Sequence, residues 1–142
     1  MKIIALYGRS ECGKSETLGI HLRALAREKA GVVNKETIWK DTRECITFGD
    51  KIIDICPPGD TEAIVLENIT FFKSHPFDVA YTATRSWGKG CRALDKYASE
   101  IGAELSWIKK PYNDDLDEKG QSEENKALGE KLFKLWAVND KL

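Results

Sequence analysis

The alternation of apolar and polar positions along the chain predicts strands separated by helices. A continuous apolar run covers Ile3 to Tyr7, as expected for a strand buried on both faces, and residues 14 to 29 then repeat leucine and alanine at helical spacing. Two further runs, Glu44 to Phe48 and Lys51 to Cys56, flank the pair Gly49-Asp50. This arrangement predicts an antiparallel hairpin.

The second half of the chain continues this alternation. A helix is predicted after the turn Pro57-Pro58-Gly59, followed by a strand over Phe77 to Thr84 and by a helix that ends at Gly102. A short strand is predicted from Leu105 to Ile108, and the acidic residues 111 to 125 are predicted to form a loop. A final amphipathic helix carries one apolar stripe, Leu128, Leu132, Leu135 and Trp136. The pattern predicts an α/β fold with a mainly parallel central sheet and helices on both faces.

Composition narrows the classes of function. With 142 residues, 42% of them apolar, the chain is expected to form a single domain, residues 1–142. The net charge of -1 gives no indication of nucleic-acid or membrane binding. The first apolar run is too short for a membrane span or a signal-peptide core, and the four cysteines form no Cys-x-x-Cys pair. We therefore expect a soluble, cytoplasmic protein.

The segment Gly8-Arg-Ser-Glu-Cys-Gly13-Lys14-Ser15 carries the clearest chemistry in the sequence. It matches the pattern Gly-x-x-x-x-Gly-Lys-Ser/Thr and lies between an apolar strand and an amphipathic helix. Glycines allow backbone amides to turn inward around a phosphate, and a helix N-terminus adds partial positive charge. The alternative is a glycine turn with an exposed lysine. The predicted phosphate-binding residues are Gly8, Arg9, Ser10, Glu11, Cys12, Gly13, Lys14, Ser15 and Glu16.

Through this loop and the alternation of strands and helices, the sequence resembles the P-loop NTPase superfamily. The resemblance implies a three-layer P-loop fold that binds ATP or another nucleoside triphosphate, with Mg²⁺ as cofactor and hydrolysis or phosphoryl transfer as chemistry. Lys14 is then expected to reach the β- and γ-phosphates and to act in catalysis, and Ser15 to bind Mg²⁺.

Such a site also requires an acidic residue at the end of a nearby strand, and two aspartates are candidates. Asp54 lies within an apolar run, where an acid is costly without a partner, so a metal-binding and catalytic role is favoured for it. Asp60 follows the Pro-Pro-Gly turn and is either a metal ligand or a helix N-cap. Cys56 stands where the Asp-x-x-Gly turn of GTPases has its aspartate, and no Asn/Thr-Lys-x-Asp motif is present. A regulatory GTPase is therefore disfavoured.

A second glycine-bearing turn, residues 82 to 92, contains three basic residues and no acid. Because such turns gather at the carboxyl edge of an open α/β sheet, Arg85 or Lys89 is expected to contact a phosphate, with Arg85 favoured in a catalytic role. Trp87 is either a stacking partner for a base or a packing anchor. A solvated turn without function is the alternative. His21 and His75 have no acidic partner at ligand spacing and are expected to be surface or packing residues.

Three functions are compatible with these features. The favoured one is a small ATPase or NTPase that hydrolyses its nucleotide. The second is a small-molecule or nucleotide kinase that binds its acceptor at the basic turn, residues 85–92. The third is a module that senses a nucleotide without turnover. The sequence leaves open a protein partner or a homo-oligomer, because a partner can supply an arginine to such a site.

Overall fold

The computed structural model describes residues 1–32 and 38–139, the last three of these by their backbone alone. Within these residues, five strands form one mixed sheet in the order β2-β3-β4-β1-β5. The strands are β1 (Lys2–Tyr7), β2 (Glu44–Phe48), β3 (Lys51–Cys56), β4 (Val79–Thr84) and β5 (Glu104–Lys109). The hairpin partners β2 and β3 are antiparallel, whereas β3-β4, β4-β1 and β1-β5 pair in parallel. The predicted α/β class with a mostly parallel sheet is therefore confirmed.

The helices follow the strands as the periodicity predicts. They are α1 (Lys14–Glu16), a π-helical segment (Thr17–Leu22), α2 (Arg23–Ala30), α3 (Glu62–Lys73), α4 (Lys89–Ile101) and α5 (Glu118–Asn139). The first three run on without a break, and α4 ends at Gly102 in the left-handed conformation, as expected. None of the helices in residues 1–32 and 38–139 combines the length and apolar character that crossing a bilayer requires.

Hydrophobic residues on the two faces of the sheet form two separate cores. In β1, Ile4 and Leu6 belong to the core that includes residues of the π-helical segment, α2 and α5, while Ile3 and Ala5 belong to the core of α3 and α4. This follows from the alternation of side chains along a strand. A parallel strand covered on both faces favours apolar residues at nearly every position, which explains the apolar run from Ile3 to Leu6 in β1.

The carboxyl ends of the parallel strands lie at one edge of the sheet. Tyr7, the last residue of β1, is level with Thr84 of β4 and Lys109 of β5. Cys56 at the end of β3 lies beside Thr82 of β4. The connections that leave these strands therefore start next to each other, namely residues 8–13, 57–61, 85–88 and 110–117.

The acidic segment is the element for which the prediction was wrong. Residues 111 to 125 were expected to form a loop, yet α5 begins at Glu118. The carboxylate of Asp117 accepts a hydrogen bond from the backbone amide of Gly120 at 2.8 Å, which caps the first turn. The following glutamates are good helix formers, and negative charge is favourable at a helix N-terminus.

Candidate functional site

The connection after β1, residues 8–15, is called the glycine loop below. Gly13 has φ 101°, and a Cβ atom there would lie 2.7 Å from the Asn125 side-chain nitrogen. The positive φ therefore favours glycine at this position, where the Asn125 side chain of α5 also approaches closely. Glu11 also has a positive φ, 59°. The loop turns tightly enough for the helix to begin at Lys14.

The ammonium group of Lys14 joins three segments of the carboxyl edge. It donates hydrogen bonds to the carbonyl of Gly8 at 2.6 Å and to that of Thr84 at 2.9 Å, and it contacts the Asp60 carboxylate at 3.2 Å. Only 4% of the Lys14 side chain is exposed. A lysine has three N–H donors, so these contacts use all of them. The alternative prediction, a glycine turn with an exposed lysine, is therefore wrong, because Lys14 is buried.

Asp60 is held at the site by the turn that follows β3. A Cβ atom on Gly59 would lie 1.8 Å from the carbonyl oxygen of Ala83, so only glycine allows this close approach to β4. The helix cap is Thr61, whose side chain accepts a hydrogen bond from the Ile64 amide at 3.2 Å. The Asp60 carboxylate, 43% exposed, faces Lys14 instead. Asp60 is therefore available to a ligand.

A cavity of about 440 Å³ opens beside these groups. Its wall contains Ser15 and Asp60, two of the predicted metal ligands, together with Lys14. The complete lining is Glu11, Cys12, Gly13, Lys14, Ser15, Glu16, Lys40, Asp41, Pro57, Gly59, Asp60, Tyr112, Glu118, Gln121 and Asn125. Its volume lies within the range of small-molecule sites, about 300–1,000 Å³.

Several residues of this site were missed by sequence reasoning, because they come from the segment predicted as a loop. Asn125 of α5 is buried, and its amide nitrogen donates to Glu16. Its side-chain oxygen has no hydrogen-bond partner among the described residues. Tyr112 lies under the guanidinium of Arg9 at 4.2 Å, and Arg9 also contacts Asp114 at 3.3 Å. The polar residues after β5 thus form one side of the site.

Lys110 is a second buried lysine at the glycine loop. A Cβ atom on Gly8 would lie 3.4 Å from the Lys110 Cβ. Burial lowers the pKa of Lys110 below its ordinary value, and the nearby Cys12, Glu124 and Glu16 offset this only in part. Its position directly after β5 is the one sequence signal that could have indicated a role at this edge.

The structure places Asp54 apart from the cavity. Asp54 lies in β3 beside Ala80 of β4, and Ala80 is level with Ile3, four residues before the end of β1. Its carboxylate is fully buried and lies 2.6 Å from the His75 ring nitrogen Nε2. Burial raises the pKa of Asp54, and His75 offsets part of that shift. His75 was expected to be a surface or packing residue because no acid stands at ligand spacing in the sequence, yet it pairs with Asp54 through a tertiary contact across 21 positions.

The basic turn lies next to Asp60. Arg85 and Lys89 border a depression of about 100 Å³, and Gly59 and Asp60 line it as well as the larger cavity. Trp87 is 83% exposed, so it is not a packing anchor within the described chain. The structure therefore brings Lys14, Ser15, Asp60 and Arg85 to one edge.

Comparison of the chain with protein-family models, with curated proteins and with solved structures gives no match.

Proposed function

We propose that this protein binds a nucleoside triphosphate with Mg²⁺ at the glycine loop and hydrolyses it. The observation that carries the proposal is the buried ammonium of Lys14, held by two backbone carbonyls and Asp60 at the wall of a 440 Å³ cavity. A three-layer P-loop fold is part of the same proposal. The strand, glycine loop and helix follow one another as that fold requires, and helices cover both faces of the sheet.

Phosphate binding would use the contacts that Lys14 already makes. The Asp60 carboxylate is the longest of its three contacts, at 3.2 Å, and it is partly exposed. A phosphate oxygen would replace this carboxylate at the ammonium, while the bonds to Gly8 and Thr84 keep the lysine in place. The backbone amides of the loop and the N-terminus of the helix would add further favourable interactions with the anion.

The residues at the cavity also fit a magnesium ion. Mg²⁺ prefers oxygen ligands and retains several waters, so one hydroxyl and one carboxylate are a sufficient protein contribution. Ser15 and Asp60, which both line the cavity, would supply these groups. When bound, Mg²⁺ supplies neutralisation of charge on the phosphate oxygens. We therefore assign the metal role to Ser15 and Asp60, and not to the distant Asp54.

Hydrolysis is favoured over transfer to an acceptor because of the space around Asp60. The depression at Arg85 and Lys89 has about 100 Å³, the share of roughly three water molecules in the liquid. That space suits a water molecule or one phosphate group better than a whole acceptor. Arg85 would contact the terminal phosphate from this side, and Tyr112 is the aromatic residue in the cavity wall that could stack on the base.

The proposal is tested by calorimetric titration of the full chain with Mg-ATP and Mg-GTP, followed by measurement of phosphate release. Lys14→Met keeps the alkyl chain and removes the charge, and we expect binding about 10- to 100-fold weaker, because a hydrogen bond to a charged group contributes about 1.5–3 kcal/mol. Lys29→Met, on an exposed position of α2, should bind as the wild type does. Circular dichroism checks that each variant is folded.

If Lys14→Met does not fold, Ser15→Ala provides a second test of the same proposal. It should reduce turnover and Mg²⁺-dependent binding without loss of the fold. Unchanged binding and turnover in folded Lys14→Met or in Ser15→Ala would overturn the proposal. Binding without phosphate release would instead indicate a nucleotide-sensing module, and transfer of phosphate to an added acceptor would indicate a kinase.

A separate test decides whether Asp60 or Asp54 binds the metal ion. Asp60→Asn should lose about tenfold in nucleotide affinity with Mg²⁺ present and little in the presence of EDTA. Asp95→Asn, on the exposed side of α4, is the matched control. If Asp54→Asn showed the loss and Asp60→Asn did not, the metal role would belong to Asp54 after all.

A further inference from the structure

Three residues with metal-binding side chains meet on the face of the sheet covered by α3. Cys45 of β2 and Asp54 of β3 are directly opposite in the antiparallel hairpin, so their side chains project from the same face. His75 follows the end of α3. The sulfur, carboxylate oxygen and ring nitrogen that these residues offer all lie within 4.8 Å of one another. We call this group the Cys-Asp-His cluster.

The Asp54 carboxylate has the features of a cation ligand. The residue is fully buried, and its oxygen Oδ1 lies 2.6 Å from His75 Nε2. The other oxygen, Oδ2, is buried and has no N–H or O–H donor among the described residues, so beside His75 the carboxylate has the weakly donating Cys45 thiol. A buried carboxylate oxygen without a partner is unfavourable by about 1–3 kcal/mol or more. The carboxylate therefore has unused capacity directed into the cluster.

The orientation of His75 supports the same conclusion. The Ser74 hydroxyl donates its proton to the Phe71 carbonyl at 2.6 Å, so at 2.8 Å it accepts one from His75 Nδ1. A fixed proton on Nδ1 leaves the lone pair of Nε2 pointing at Asp54. Metal-binding histidines commonly have their second nitrogen held in this way. Ser74, His75 and Asp54 also resemble a catalytic triad. Because the Ser74 hydroxyl donates its proton to the Phe71 carbonyl and not to His75, the serine is not activated as a nucleophile.

We propose that the Cys-Asp-His cluster binds one zinc ion through Cys45 Sγ, an Asp54 oxygen and His75 Nε2. Thiolate, imidazole and carboxylate are the protein ligands that Zn²⁺ takes, and three of them leave a fourth position for water. Zinc–ligand distances of about 2.0–2.3 Å place neighbouring ligand atoms about 3.3–3.8 Å apart in a tetrahedron. The Asp54–His75 pair, 2.6 Å apart, must widen by about 0.7 Å, and the adjustment falls to His75, which is 24% exposed, rather than to the fully buried Asp54.

Charge and protons balance in this binding step. The short contact between Nε2 and Oδ1 requires one shared proton, because Nδ1 already holds the ring's other proton. Zn²⁺ displaces that proton and the proton of the Cys45 thiol, and both go to solvent. The two positive charges of Zn²⁺ thus replace those of the two released protons, so the net charge of the buried site stays at zero. No bond to carbon changes and no oxidation takes place.

A zinc ion here would have a structural effect on the edge of the sheet. It would join the edge strand β2, the neighbouring strand β3 and the segment after α3, which are otherwise connected through the hairpin hydrogen bonds and helix packing. The set of three ligands is assembled only in the folded chain, so we expect zinc binding to stabilise the fold. The site is separate from the glycine loop and does not depend on the proposed nucleotide function.

The test uses the full chain, freed of metal with a chelator and then titrated with ZnCl₂. We expect one zinc per chain, release of about two protons per zinc, and a higher midpoint of thermal unfolding. Proton release is measured by calorimetry in buffers that differ in ionisation enthalpy. Co²⁺ in place of Zn²⁺ should give the absorption of a thiolate-to-metal charge-transfer band.

Variants of the ligands decide the assignment. Cys45→Ser and His75→Gln should each weaken zinc binding by about 10- to 100-fold or more, and both should remove the charge-transfer band or shift it. Cys45 is exposed, so Cys45→Ser is expected to fold, and Cys91→Ser is the matched control with a cysteine outside the cluster. Substoichiometric binding to the wild type, or equal loss in Cys91→Ser and Cys45→Ser, would overturn the proposal.

Discussion

Two lysines are buried at the glycine loop, and their surroundings differ. Lys14 has three acceptors, one of them the charged Asp60. Lys110 is 3% exposed and donates to the carbonyl of the adjacent Pro111, and its pKa is lowered by burial. At the residue scale, the Lys14 ammonium is therefore matched by three acceptors, whereas burial of the Lys110 charge is expected to cost stability.

The free-energy cost of burying the Lys110 charge depends on pH, and the direction of this dependence follows from the lowered pKa of Lys110. The folded pKa of Lys110 lies below the ordinary value of 10.5, so in the window between the two values the unfolded chain binds more protons. Stability therefore rises with pH in that window. Below the folded pKa the cost is present in full, and above 10.5 it is absent.

We therefore expect Lys110→Met to unfold at higher urea concentration than the wild type at pH 7. The advantage should shrink as the pH approaches 10.5, because only the wild type regains stability there. Urea titrations at pH 7, 9 and 10.5 measure the difference, with Lys109→Met at the exposed neighbouring position as control. A Lys110→Met variant that is less stable at pH 7 would show that the charge contributes a favourable contact.

For single residues, the sequence predicted those that belong to a short local motif and missed those that reach the site from distant segments of the chain. Lys14 and Ser15 could be located because the glycine loop is local and has a fixed spacing. Asp60 was one of two candidates, and the choice between cap and ligand depended on Thr61 taking the cap. Asn125 and the Thr84 carbonyl reach Gly13 and Lys14 across more than 65 positions, and nothing in their local sequence indicates it.

Among the elements, the turn between β3 and α3 is the one that sets the geometry of the candidate site. Gly59 packs against the backbone of β4, and the next residue is Asp60. Thr61 then caps α3. Gly59 thus fixes the turn against the sheet, Asp60 faces Lys14, and Thr61 starts the helix.

Two variants in this turn should have different consequences. Gly59→Ala should destabilise the fold by about 3 kcal/mol or more, since its Cβ would meet the Ala83 carbonyl oxygen at 1.8 Å, and the displaced turn should also weaken nucleotide binding. Thr61→Ala should lower stability by about 0.5–2 kcal/mol through loss of the cap and leave nucleotide affinity unchanged. Urea unfolding and calorimetric titration of both variants give the comparison. Equal effects on affinity would contradict this division of roles.

The elements themselves were largely predictable, and their boundaries followed turn chemistry. The hairpin strands lie where they were expected because two apolar runs flank Gly49-Asp50. The beginning of α5 was missed because charge was taken as the mark of a loop, although an Asp117 cap and helix-forming glutamates favour a helix. Local composition is a weak guide where the charged residues are themselves good helix formers.

In the whole molecule, the strand order separates the two proposed sites. β4 lies between β1 and β3, so the strand before the glycine loop does not touch the strand that carries Asp54. Sequence periodicity does not predict this order, because it depends on which apolar faces pack together over long separations. Because the order was not predictable, Asp54 was expected to lie beside the glycine loop and to bind the same metal ion.

The separation also allows a prediction about the two ligands together. Asp54 is level with Ile3, four residues before the end of β1 at Tyr7, which is about 13 Å along the strands at roughly 3.3 Å per residue. Contributions from sites more than about 7–10 Å apart, with no shared partners, add to within about 0.5 kcal/mol. A ligand present at 100 times its Kd stabilises the fold by about 2.7 kcal/mol.

We therefore expect Zn²⁺ and Mg-nucleotide, each at 100 times its Kd, to raise the free energy of unfolding by about 5.4 kcal/mol together. Urea unfolding of the full chain without ligand, with each ligand and with both measures the sum. With the ligand concentrations unchanged, the zinc increment should fall in Cys45→Ser, and the nucleotide increment in Lys14→Met, to about 1.4 kcal/mol for tenfold weaker binding or about 0.4 kcal/mol for 100-fold weaker binding. In each variant the other increment should remain. A combined effect that departs from the sum by more than about 1 kcal/mol would show that the sheet couples its hairpin edge to the glycine loop.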